Sequence, residues 1–438
     1  MKKMILLIAF CCFSFKMTKA QSLYFPPLTG NQWDSTSISS LGWCQDKLDT
    51  LLNYLDDRNT KAFIVLKDGK IVIEKYFDTF TMDSLWYWAS AGKTLTGFTT
   101  GLAQQDGFLS INDTTSNYLG QGWTIAPSFK ENLITIKHQL SMTSGLNDGV
   151  PDHHCTIDTC LEYLADAGTR WSYHNGPYTL LDSVIESATG QTLNQYFAQK
   201  VKIPTGITGT FVKIDFNNVF ISKARSMARF GLLMLNKGKW NTTPIMTDTS
   251  FFHDMTNTSQ AINESYGYLW WLNGKSTYML PSTQFLFNGP LNPNAPSDMI
   301  AALGKNGQFL NVVPSQNLVW IRMGDAPNSN QVPFTLNDTI WQKLNQVMCT
   351  PNRIDEKKLA ISNFLISPNP ATDVVHIQTS ASNYSILIND ITGRTIHQND
   401  IASGNSTINI QHLKDGIYSV SMLQQGKIVA VQKLIIRK

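Results

Sequence analysis

The sequence predicts an α/β (α+β) sandwich followed by a small all-β domain. Three observations carry this. A strand hairpin near residue 65 and a strand pair near residue 315 bracket several helical segments. The helices are amphipathic, so each has one face to bury. After residue 363 the pattern changes to short alternating strands without Cys or Trp.

The chain has 438 residues, 42% apolar and 11% aromatic, enough for one large domain and an appendage. The formal charge is +3, with no basic stripe that would suggest nucleic acid. Lys2 and Lys3 precede the apolar run "MILLIAFCCFSF" (4–15), and Thr18 and Ala20 are small. That is the layout of a signal peptide over 1–20, with a mature start near Gln21. The run is too short for a membrane span, and no later stretch is long enough. Export makes the four remaining cysteines an even set in an oxidising setting, with three connectivities. We expect Cys155–Cys160 and Cys44–Cys349, against four free thiols.

A helix is expected over about 37–57, where Leu48, Leu51, Leu52 and Leu55 recur at helical spacing. "KAFIVLKDGKIVIEKYF" (61–77) reads as a hairpin turning at Asp68-Gly69. Leu95, Phe98 and Leu102 continue a helix that stops before Gly107. Further helices are expected over 221–240, closed by Gly238, and over 338–348. "QFLNVVPSQNLVWIRMG" (308–324) reads as two strands around Pro314-Ser315. The polar stretch 351–362 reads as a linker, leaving 21–350 as the main domain. "VVHIQ", "YSILIND", "STINIQ", "IYSVSML" and "KIVAVQKLII" then read as strands of a small sandwich over 363–438.

Ser90 and Lys93 stand one turn apart at the start of a helix, where a lysine can accept or steer the serine's proton. The pair alone is weak evidence, since a solvated lysine explains it equally. Two later segments add weight: Tyr173-His174-Asn175 before a helix, and Lys305-Asn306-Gly307 entering a strand. This ordered triple resembles the serine β-lactamase and penicillin-binding-protein superfamily, closest to its class C β-lactamase, D-peptidase and esterase branch. The likeness spans about 45–348. It implies an antiparallel sheet flanked by helices with an all-helical subdomain, and acylation of Ser90. It implies Lys93 and Tyr173 as the base pair, with Tyr173 favoured as phenolate by Lys93 and Lys305. Asn175 would hydrogen-bond Lys93 and the substrate, Lys305 and Gly307 would face the substrate, and the backbone N–H groups of Ser90 and Gln308 would form an oxyanion hole. No cofactor and no metal is implied. Asn306 stands where β-lactamases carry Thr, which weakens the case for β-lactam hydrolysis, and Met142 stands where many relatives have His.

Other residues have plainer readings. Asp152, His153, His154 and Cys155 suggest a loop rather than a metal site, and His174 an exposed side chain. Trp270 and Trp271 suggest core, and Gly289–Ser297 either a pocket border or an ordinary surface loop. "FLISPNPATDVVHIQ", "INDITGRTIHQND" and "LKDGIYSVSM" resemble the C-terminal sorting domain of type IX secretion. That resemblance implies the secretion machinery as a partner and a secreted or cell-surface location. The function expected is a serine hydrolase acting on an ester, amide, D-amino-acid peptide or β-lactam. The alternative is a catalytically silent surface protein that binds a peptide, glycan or β-lactam.

Overall fold

The computed structural model describes residues 23–330, 332–349, 364–379, 381–390, 394–424 and 427–438. The expected signal peptide and the linker lie outside the described residues. The chain divides into two compact units, Met1–Pro351 and Asn352–Lys438.

The first unit is built on a six-stranded antiparallel sheet. In spatial order its strands are Lys70–Tyr76, Thr60–Lys67, Leu318–Gly324, Gln308–Val313, Ile300–Gly304 and Trp271–Leu272. The first two form the expected hairpin. Asp68 (φ 51°) and Gly69 (φ 82°) both adopt the left-handed conformation that a tight two-residue turn requires. Leu318–Gly324 and Gln308–Val313, in the middle of the sheet, are buried along their whole length, as expected where helices cover a sheet. Helix Ala224–Leu235 lies against them, and Val319 and Leu310 leave no room for a Cβ on Gly231. The last helix, Phe334–Val347, buries Leu336, Ile340, Trp341, Leu344 and Val347 in the same core.

The first helix is shorter than the expected 37–57. It covers only Leu48–Asp56, preceded by two short 3-10 turns, because Gly42 takes the left-handed conformation (φ 70°) and stops the earlier turn. Cys44 is bonded to Cys349, and its N–H donates to the Val347 carbonyl (2.7 Å). The start of the domain is thus fastened to the end of its last helix.

The second unit has two antiparallel sheets around a separate core of Phe364, Val375, Ile377, Ile386, Ile388, Val420, Met422 and Leu434. One holds Phe364–Ser367, Val374–Thr379 and Ser406–Asn409. The other holds Thr395–Ser403, Ser382–Asn389, Gly416–Gln424 and Lys427–Ile436. Phe364–Ser367 and Thr395–Ser403 were not among the segments read as strands. The second is largely polar, so it carries little of the alternation that marks a half-buried strand.

Candidate active site

Ser90 lies on a 3-10 turn, Ala89–Gly92, that leads into helix Lys93–Gln105. The turn is held from below by Trp88, a buried side chain whose indole N–H donates to Ser222 Oγ (2.7 Å) and whose backbone N–H donates to Phe220 O (2.8 Å). Ala89 takes φ 46°, a costly backbone conformation for a residue with a Cβ, directly before the serine. Lys93 follows one turn on, and its Nζ lies 3.0 Å from Ser90 Oγ.

Lys93 is buried, and the ring faces of Tyr178 and Tyr173 lie 4.2 Å and 5.2 Å from its Nζ. Burial pulls its pKa down from the ordinary lysine value to about 7, partly opposed by the charge of Asp182. A large share of Lys93 is therefore the uncharged amine near neutral pH. Tyr173 moves the opposite way. Desolvation raises its phenol, and a hydrogen-bonding interaction with Ser90 only partly offsets this. Burial thus works against the phenolate form expected at Tyr173.

Tyr173 stacks on Trp271 (centroids 5.7 Å apart) and meets Tyr266 edge-on (6.2 Å), so its ring is fixed. Trp270 and Trp271 are core residues, as the sequence suggests. Asn175 opens the short helix Asn175–Thr179. Its Oδ1 is buried without a hydrogen-bond partner among the described residues, so the expected Asn175–Lys93 bond is not made. His174 is buried, not exposed, and burial lowers its pKa to about 4. The loop before this motif is closed by Cys155–Cys160 and packed on the helix. The Gly176 N–H donates to His153 O (2.9 Å), and a Cβ on Gly176 would sit 2.4 Å from Cys155 O. No cluster of three or more metal-ligating side chains occurs among the described residues.

The third motif enters a strand, as expected. Lys305–Gly307 forms the turn between strands Ile300–Gly304 and Gln308–Val313. Strand Trp271–Leu272 pairs only with Ile300 and Ala301, so among the described residues Ala302–Gly304 keep an open edge. That edge meets Ser90. A Cβ on Gly304 would lie 2.6 Å from Trp88 O, 2.9 Å from Ala91 N and 3.2 Å from Ser90 N. Gly307 abuts Arg322 instead, 2.4 Å from where a Cβ would be. Gln308 is on an interior strand, and its buried side chain pairs with the backbone of Gly324, donating to O (2.6 Å) and accepting from N (3.0 Å). Neither Gly307 nor Gln308 lines the pocket. The oxyanion role expected of Gln308 therefore has no support in its placement: its strand is flanked on both sides, and the edge facing Ser90 belongs to its neighbour.

The turn itself is firmly held. Arg322, fully buried, donates from Nη1 to Gly307 O (2.7 Å) and Asn306 O (3.1 Å), and from Nε to Thr60 Oγ1 (2.9 Å). Asn306 donates to the Tyr87 hydroxyl (2.7 Å). Sequence reading missed Gly304 and Arg322. The Gly304-Lys305-Asn306-Gly307 run was the available signal for the first, whereas nothing local marks the second.

These elements enclose a cavity of about 550 Å³ lined by Ser90, Lys93, Tyr173, Asn175 and Lys305 together. Its remaining wall is largely apolar, with Leu85, Trp86, Ile214, Val219, Ile221 and Val332, and no Asp or Glu lines it among the described residues. His153 and His154 also reach it, while Gly289–Ser297 does not. That loop instead packs on the last helix, where Asn294 binds Asp338 (2.7 Å).

Residues 48–345 match the Beta-lactamase family, and residues 365–437 match the Secretion system C-terminal sorting domain. An uncharacterised protein of Alkalihalophilus pseudofirmus is 22% identical over 306 residues, covering 61% of this chain and 84% of that protein. Protein flp of Staphylococcus aureus (strain MRSA252) is 25% identical over 202 residues, covering 40% of this chain but only 39% of its own length. Among solved structures, a putative β-lactamase from Bacteroides dorei has a TM-score of 0.57 at 17% identity, covering 70% of this chain and 99% of that one. A putative 6-aminohexanoate-dimer hydrolase from Bacillus anthracis has a TM-score of 0.55 at 18% identity, covering 73% and 88%. At such identities these likenesses establish the fold alone. The family match spans more than half of the residues, and so the chain belongs to the Beta-lactamase family of serine hydrolases and ends in a type IX secretion sorting domain.

Proposed function

We propose that this protein hydrolyses a neutral ester or amide outside the cell through an acyl-enzyme on Ser90. The observation that carries the reading is the 3.0 Å approach of Lys93 Nζ to Ser90 Oγ, by an amine that burial keeps largely uncharged near neutral pH. Lys93 is then the first base, taking the Ser90 proton as Oγ attacks the carbonyl. Tyr173, protonated and within hydrogen-bonding reach of Ser90, passes a proton toward the leaving group. The oxyanion donors in this reading are the backbone N–H of Ser90 and one from the Gly304–Lys305 edge beside it. Asn175 Oδ1, buried and unpaired, accepts from a substrate N–H or O–H, which offsets the cost of leaving it unsatisfied.

Two features bear on the substrate. The wall is largely apolar and carries no carboxylate among the described residues, which disfavours cationic groups. The Asn306 side chain is engaged with Tyr87, so it is not free to hold the carboxylate of a β-lactam or a peptide C-terminus. The sorting domain supports export beyond the outer membrane, away from the cell's own wall, and the tail is then removed or retained at the surface.

The test is labelling of the full-length chain by a fluorophosphonate and by a fluorescent penicillin, followed by turnover of p-nitrophenyl esters. Wild type should be labelled by the fluorophosphonate and Ser90→Ala should not. Equal labelling of the two, or no labelling and no turnover, rejects the hydrolase and leaves a binding protein.

A further inference from the structure

The pocket has one wall that the mechanism above does not use. It is a small antiparallel sheet in which strand Asn217–Ser222 lies between Trp86–Tyr87 and Thr210–Ile214. Side chains alternate between the two faces of a strand, and directly opposite residues share a face. Phe220 and Phe211 are such a pair, both buried, with ring centroids 4.9 Å apart, so their face packs on the core. The other face carries Val219 opposite Val212, and Ile221 between Thr210 and Tyr87. Ile214 alternates onto that same face, and Ile214, Val219, Ile221 and Tyr87 all line the cavity that holds Ser90.

An antiparallel sheet with one face on the core ordinarily turns a polar face outward. This one is largely apolar on both faces, and its outer face is incompletely covered. Ile214 is 49% exposed, and Leu85, which precedes strand Trp86–Tyr87 and also lines the cavity, is 60% exposed. The asparagines of the hairpin are already engaged: Asn217 Oδ1 pairs with His154 Nδ1 (2.8 Å), and Asn218 Nδ2 donates to Asp182 (3.0 Å). Lys93, Asn175 and Lys305 reach the cavity from other elements. An apolar surface that is open to solvent and continuous with the Ser90 cavity suits an apolar part of the molecule that Ser90 attacks. We propose that this face is the subsite for an unbranched alkyl chain of the scissile ester or amide. The inference deepens the reading of Ser90 as the acylated residue and rests on it. The chain runs from Ile221, whose strand partner Tyr87 stands three positions before Ser90, past Val219 to Ile214, which pairs with Asn217. That path covers four residue steps of strand, about 13 Å, the length of an extended chain of roughly ten carbons.

The test is chain-length dependence in the full-length protein. kcat/KM is measured for p-nitrophenyl esters from acetate to octanoate and for alkyl acetates from ethyl to octyl. One series should rise about threefold per added methylene, and the series that rises names the side of the ester that the wall receives. The double variant Ile214→Thr with Val219→Thr should flatten the rise to below about twofold per methylene, each protein being compared with its own shortest ester. Ile203→Thr, at an exposed isoleucine away from the cavity, should keep the wild-type slope. Calorimetry of 1-hexanol and 1-octanol with the Ser90→Ala chain reads the same wall without turnover. Octanol should bind roughly tenfold tighter than hexanol, and adding the two threonines should remove most of that difference. Turnover of short esters with no chain-length slope in either series, or a slope that the double variant leaves unchanged, overturns the inference and keeps the hydrolase reading. A preference for octanol with no turnover of any ester rejects the hydrolase reading and keeps the alkyl-binding wall.

Discussion

At the scale of single residues, function is bought with stability at Lys93. An ammonium held among Tyr173, Tyr178 and the helix core destabilises the fold wherever it must be charged. Its folded pKa lies below the unfolded one, so the unfolded chain binds more protons between the two values and stability rises with pH across that window. Lys93→Met should therefore have opposite effects on two measurements. Acylation of Ser90 should fall by roughly 10²–10⁴-fold. Thermal unfolding at pH 6 should shift upward by about 2 °C or more, with the gain shrinking as the pH approaches 10. A lower melting temperature at pH 6 would show that Lys93 is stabilised by its surroundings rather than strained by them. The Ser90–Lys93 pair was visible in the sequence as a spacing. Its chemistry was not, because the direction of the shift depends on burial by rings some eighty positions away in the chain.

At the scale of elements, the site is a meeting of one turn, one short helix and one sheet edge. The edge is the part that sequence reading displaced. Lys305-Asn306-Gly307 has the residue types of the motif, yet the strand that touches the Ser90 turn ends at Gly304. Gly304→Val tests this. A side chain there would push Trp88 O and the Ala91 N–H away from the strand, opening the gap where an oxyanion would bind. Labelling should drop roughly 10²-fold or more, as expected for loss of an oxyanion donor, while far-UV circular dichroism stays native. Labelling at the wild-type rate would return the role to the Gly307–Gln308 segment. The hairpin at 68–69 and the strand pair around Pro314 were legible because their signals are local turn chemistry. The first helix was overextended, because the expected range reached back before the leucine repeat, across a left-handed glycine and a cysteine tether that periodicity does not weigh.

At the scale of the whole molecule, the chain forms two compact units with separate cores. A chain ending at residue 350 should label at the full-length rate, and loss of labelling would show that the sorting domain supports the site. The Cys44–Cys349 bond closes a loop of 305 residues and joins the start of the main domain to its last helix. Replacing both cysteines with serine should cost about 3–5 kcal/mol in denaturant unfolding. An unchanged midpoint would mean that the last helix holds its place by packing alone.

The sequence by itself determined the class of fold, the Ser90–Lys93 spacing and the family resemblance, because turn residues, periodicity and motif order are properties of neighbouring positions. The tertiary structure alone decided which edge faces Ser90 and that the buried Arg322 holds the turn beside it. Those outcomes depend on strand order and on which charged groups are taken out of water together, and neither is written in any local stretch of the chain.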